Sequence, residues 1–109
     1  MPMIEAKQRE LERLDAERED VERRHLQELD DSAAELQALN SQIDRLQTTG
    51  LQLVQNRAAL ALSNYRSAKG DLSAVLSARA QVLETRMRLI DLGAQRDSLV
   101  ARLNSLIAD

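Results

Sequence analysis

The chain has 109 residues and a formal net charge of −3, with 43% hydrophobic residues, yet Tyr65 is its only aromatic and it contains no cysteine. An apolar supply of Leu, Ala, Val and Ile on a background of Glu, Arg, Gln and Asp is the composition of long helices that bury seams rather than a centre, which argues against an enzyme pocket. The negative balance gives a general nucleic-acid role no electrostatic support, and the lack of cysteine excludes disulfides and thiolate sites.

The charge is unevenly spread. Residues 1–31 hold eleven acids against six bases, whereas the remainder holds seven acids and nine bases. The start, MPMIEAKQRE, has no apolar stretch of the signal-peptide kind, and no apolar run is long enough to span a bilayer. On this reading the chain has no route of its own into a membrane.

From Met3 to about Ala68 nothing forbids a single helix. Leu11, Leu14 and Val21 form a stripe that Arg18 and His25 continue. Leu29, Leu36 and Ile43 then form one seven-residue column, and Leu39, Leu46, Leu53 and Leu60 a second. Interleaved, these columns step by three and four, which is a heptad seam. The steps from Val21 through His25 to Leu29 are four and four, a stutter in the register. Gly50, after Thr48 and Thr49, is a soft point where the helix can bend or locally unwind.

The stronger break is SAKGD, residues 67–71. Gly70 is the residue expected to take the left-handed conformation that closes a helix, and Asp71 the one to cap the next. Lys69 and Asp71 also suit the dipoles of the helices they flank. A second helix runs from about Leu72 to Ile107 with three apolar columns: Val75-Val82-Leu89-Leu103, Leu76-Leu83-Ile90 and Leu92-Leu99-Leu106. Three columns exceed what a two-stranded coiled coil needs, so this helix is expected to touch neighbours on more than one side.

At 1.5 Å per residue the first helix would be ~100 Å long and the second ~54 Å. Folded back near residue 70, the second covers only the later part of the first. The fold expected is therefore all-α: a long antiparallel helical hairpin, or coiled coil, with helix one overhanging helix two. Residues 1–33 form the charged overhang and 34–107 the hairpin, with its tip turn near 67–71. Ion pairs such as Glu5–Arg9 would support the overhang, each by only a few tenths of a kcal/mol, and Leu11, Leu14 and Val21 are left needing cover.

Few residues invite a chemical role. His25 has no second nitrogen or sulfur donor nearby and reads as a polar seam residue rather than a metal ligand. The acidic run 17–22 alternates with arginines and reads as a solvated face. One histidine and no cysteine cannot build a nucleophilic triad, and glycines at 50, 70 and 93 do not make a phosphate loop. No catalytic, cofactor-binding or metal-binding residue is assigned. The tip is different: Tyr65, Arg66, Lys69, Gly70 and Asp71 stand at the extreme end of a rod, either as an ordinary hairpin turn or as a contact point for a partner.

Residues 51–107 resemble the C-terminal helical segment of TolC-type outer-membrane efflux channels, the heavy-metal (CzcC/CusC-type) branch most. The family pattern runs aromatic-Arg-Ala-Gly-Lys-Gly-small-Leu, then Val-Leu-x-Ala-Arg, then Leu-Asn near the end. It is met here by Tyr65, Arg66, Lys69, Gly70, Leu72, Val75, Leu76, Ala78, Arg79, Leu103 and Asn104. The resemblance implies a structural, non-enzymatic piece of a homotrimeric channel of the outer membrane and periplasm: a descending helix, a periplasmic tip turn and an ascending helix. It further implies that residues 65–71 dock a periplasmic adaptor protein of a tripartite pump driven from the inner membrane. Ala74 and Ser77 then line the aperture, at positions that carry aspartates in some members.

There are departures from the family. Ala68 stands where a tip glycine is usual, Gln52 replaces a common proline, and Ala74 and Ser77 carry no charge. The β-hairpins, signal peptide and first structural repeat have no counterpart in the sequence, so the chain is expected to be a fragment that self-associates through its exposed seams. Two other readings stay open: the helical hairpin of a periplasmic adaptor, and a free-standing coiled-coil scaffold.

Overall fold

The computed structural model describes residues 2–108 and forms a rod of 98 × 20 × 15 Å. Helix α1 spans Pro2–Arg45, a π-helical turn occupies Leu46–Gly50, α2 spans Leu51–Arg66 and α3 spans Leu72–Ala108. The path from α1 through the π-turn to α2 is one continuous arm, and α3 returns alongside it. Among the described residues there is no strand, and the expected helical hairpin with an overhanging first arm is what forms.

The seam of α3 keeps a strict heptad. Val75, Ala78, Leu92 and Leu99 are buried, and Val82, Thr85, Leu89, Arg96, Leu103 and Leu106 are half-buried, in steps of three and four. Thr85 is accommodated on this face because its hydroxyl donates to the Gln81 carbonyl at 2.9 Å. Towards the open end of the hairpin Leu39, Leu92 and Leu99 form the core, with Leu36, Ile43 and Leu46 packed against them. Leu99 retains only 2% of its exposure. Towards the tip the contact is made by smaller groups, Ala58 and Ala61 opposite a face containing Val75 and Ala78. The cover of α1 reaches back to Ser32, 4% exposed, beyond which His25 and Leu29 are half-buried.

The other arm departs from the expected pattern at its middle. The π-turn inserts one residue between Leu46 and Leu51, and the Leu51 N–H donates to the Leu46 carbonyl, five residues back. The Thr48 hydroxyl donates to the Asp44 carbonyl at 2.7 Å, competing for an acceptor of the regular ladder. Leu46 packs over Gly50, where a Cβ would stand 2.8 Å from Leu46 Cδ1 and displace the end of that side chain. One extra residue turns everything downstream by about 100°. The column Leu39-Leu46-Leu53-Leu60 is therefore not one seam. Leu39 and Leu46 face α3, but Leu53 and Leu60 are 48% and 62% exposed. Leu51, Val54, Ala58 and Ala61 take over the contact.

Leu11, Leu14 and Val21 on the overhang are exposed, as is the column Leu76-Leu83-Ile90 on α3. Ion pairs do lace the overhang, though Glu5–Arg9 is not among them. They are Arg13–Glu17 and Arg18–Glu22 at 3.8 Å and Asp20–Arg24 at 2.6 Å. The tight one has its acid four residues before its base, the order the helix dipole favours; the two loose ones run the other way. No described helix is long and apolar enough to cross a membrane.

Candidate docking tip

The reversal is built by two capping devices. Helix α2 ends in a Schellman motif: the Lys69 N–H donates to the Asn64 carbonyl at 2.8 Å and the Ala68 N–H to the Tyr65 carbonyl at 3.1 Å. These bonds satisfy carbonyls that the helix end would otherwise orphan. Helix α3 begins with Asp71, whose Oδ1 accepts from the Ala74 N–H at 2.9 Å. That is the N-cap role expected for Asp71.

The left-handed residue is not the one expected. Ala68 has φ of 61°, and neither Gly70 nor any other glycine has positive φ. Gly70 serves close approach instead. Its N–H donates to the Asn64 carbonyl at 3.2 Å, and a Cβ at this position would stand 3.2 Å from Asn64 Cβ. The sequence "AKG" offers two small residues, and the backbone uses one for its φ and the other for its lack of a side chain. An L-residue with a methyl group in the left-handed well carries strain of about 1–2 kcal/mol.

Tyr65, Arg66, Lys69, Gly70 and Asp71 are all exposed at the end of the rod, so the structure brings together the five residues singled out for the tip. Tyr65 keeps 44% of its exposure, so a good part of the only aromatic side chain is open to solvent. Arg66 and Lys69 form no ion pair among the described residues, so two unneutralised cations flank the turn. Ala74 and Ser77 lie in the first two turns of α3 with exposed side chains, Ala74 also supplying the N–H that Asp71 caps.

Asn64 escapes a reading of the sequence alone. Its carbonyl is the shared acceptor for Lys69 and Gly70 and its Cβ sets the space left for residue 70. Only its position six residues before a glycine could have marked it. His25, half-buried on α1 beside Val21, Glu22 and Leu26, borders an open groove on the overhang. No group of three His, Cys, Asp or Glu among the described residues is placed to hold a metal ion. No protein-family model matches the sequence, and comparison with curated proteins and with solved structures finds no match.

Proposed function

We propose that the chain is a wall-and-docking segment of a TolC-type outer-membrane efflux channel serving a tripartite pump, with metal or other cations as the exported class. The observation that carries this reading is a doubly capped reversal at the end of a 98 Å rod, presenting Tyr65, Arg66 and Lys69 to solvent. A partly exposed aromatic beside two unpaired cations is suited to hold a partner by ring contact and charge together.

In this reading the tip of each protomer of a homotrimeric parent meets the periplasmic adaptor, and α3 continues from the tip as the aperture wall. Ala74 and Ser77 face the aperture without charge, so closure there is steric rather than a ring of carboxylates. The exposed column Leu76-Leu83-Ile90 supports the reading too, because a wall helix needs a second lateral neighbour. The work done is positioning, with no bond made or broken.

The test is made in the full-length parent. Tyr65→Ala and Lys69→Glu should each weaken crosslinking to the adaptor and reduce efflux, while leaving the amount of trimer unchanged. Crosslinking and efflux both at the unsubstituted level would refute the docking role.

A further inference from the structure

We infer that a second copy of this chain covers the bare stripe of α1, in an antiparallel dimer where the first half of each α1 lies along the first half of the other copy's α3. The inference does not depend on the channel reading.

Its first ground is a matching pattern. Glu10, Leu14, Glu17 and Val21 follow one another by four, three and four residues, and Arg79, Leu83, Arg86 and Ile90 repeat that spacing. All eight are exposed. Set side by side, the two segments place acid beside base and apolar beside apolar along two turns of the helix. The charges are also free to pair. Arg79, Arg86 and Glu10 form no ion pair among the described residues, and Glu17 has only Arg13 at 3.8 Å, both largely in solvent. Beside Leu83, a groove between α2 and α3 lined by Gln55, Ala58, Arg79, Val82 and Arg86 offers an incoming helix a seat.

The second ground is length. At 1.5 Å per residue Leu14 stands ~80 Å from the reversal and Leu83 ~20 Å; Val21 stands ~70 Å from it and Ile90 ~30 Å. Each pair of distances adds to about 100 Å, and the rod is 98 Å long. A two-fold axis across the middle of the rod therefore brings both pairs level when the two copies lie flush. The symmetry makes the contact twice, once at each end. Pairing the overhangs with each other instead would bring together two segments that each hold eleven acids against six bases in residues 1–31, so that like net charges repel.

The experiment uses this 109-residue chain, with sedimentation equilibrium for mass and small-angle X-ray scattering for length. The expected result is a dimer whose maximum dimension is about 100 Å; a dimer joined through its overhangs alone would reach about 150 Å. The double variant Arg79→Glu with Arg86→Glu should raise the dimer Kd about tenfold or more at low salt, as should Glu10→Arg with Glu17→Arg. Combining all four substitutions should restore it. Far-UV circular dichroism checks that helicity is kept in each. A monomer at every concentration, a particle near the longer dimension, a trimer, or a four-fold variant no tighter than the doubles would each overturn the proposal.

Discussion

Replacing Ala68 by glycine tests the geometry of the tip directly. Ala68 occupies the left-handed well at φ 61°, where a side chain costs about 1–2 kcal/mol that glycine avoids. Glycine also gives the unfolded chain more freedom, which takes back about 0.4–1 kcal/mol. The balance is a net gain of about 0.5–1 kcal/mol for Ala68→Gly, worth roughly 4 °C in melting temperature for a chain of this size. Gly70→Ala should act the opposite way despite its ordinary φ, because the added Cβ would sit 3.2 Å from Asn64 Cβ and press on the Gly70 to Asn64 hydrogen bond. The assay is urea unfolding followed by circular dichroism at one fixed protein concentration, since association shifts apparent stability. A loss of stability in Ala68→Gly would place the left-handed residue elsewhere and refute the Schellman closure described here.

Three further outcomes follow from the same structure. Asp71→Ala removes the 2.9 Å bond to the Ala74 N–H and should cost about 1 kcal/mol, with Asp71→Ser retaining most of the stability in the same unfolding assay. Deleting Thr49 should leave the melting temperature unchanged or higher, because it converts the π-turn to regular helix without moving α2 against α3; deleting Asn56 turns Ala58, Ala61 and Leu62 off the seam and should cost about 2 kcal/mol or more. Leu99→Ala should cost about 2–5 kcal/mol and Leu60→Ala less than about 0.5, although both leucines sit in seven-residue columns; equal losses would mean that the π-turn does not reset the register.

The helical content, the reversal at 67–71, the Asp71 cap and two of the three α3 columns can be read directly from the sequence, because each depends on local spacing or a capping preference that acts over one turn. Two features cannot, although Gly50 does mark the soft point at which the first arises. Residue counting treats every turn as equal, so it puts Leu39, Leu46, Leu53 and Leu60 on one face; a single wide turn, held by the Thr48 hydroxyl and the gap at Gly50, moves the later pair outside. Residue preference likewise points to Gly70 for the left-handed site, because glycine is the usual occupant. The Asn64 carbonyl decides otherwise. It receives both Lys69 and Gly70 N–H groups, with the sharp φ two residues before Gly70, and a side chain at 70 would press on Asn64 Cβ. At the tip the sequence supplies the residues and the end of the rod that carries them, but not which backbone group holds the loop shut.

The displaced leucines separate the two proposals made above. Gln55 lines the groove beside Arg79 and Leu83, and Leu53, two residues earlier, points about 160° away around α2. The hairpin thus carries one apolar strip on α3, Leu76-Leu83-Ile90, and another on the opposite flank of α2, Leu53 and Leu60. Identical hairpins standing side by side in a ring need both strips, one for each neighbour, in a head-to-tail contact. The antiparallel dimer needs only the α3 strip and the overhang. Leu53→Lys with Leu60→Lys should therefore leave the dimer of this chain within about threefold of its original Kd. In the full-length parent the same pair should reduce the trimer recovered on native gels, with the loss of lateral contact. A dimer broken by these substitutions would put α2 in its interface and contradict the flush arrangement, and a parent trimer that tolerates them would leave the α2 strip without a neighbour and the wall reading without its second side.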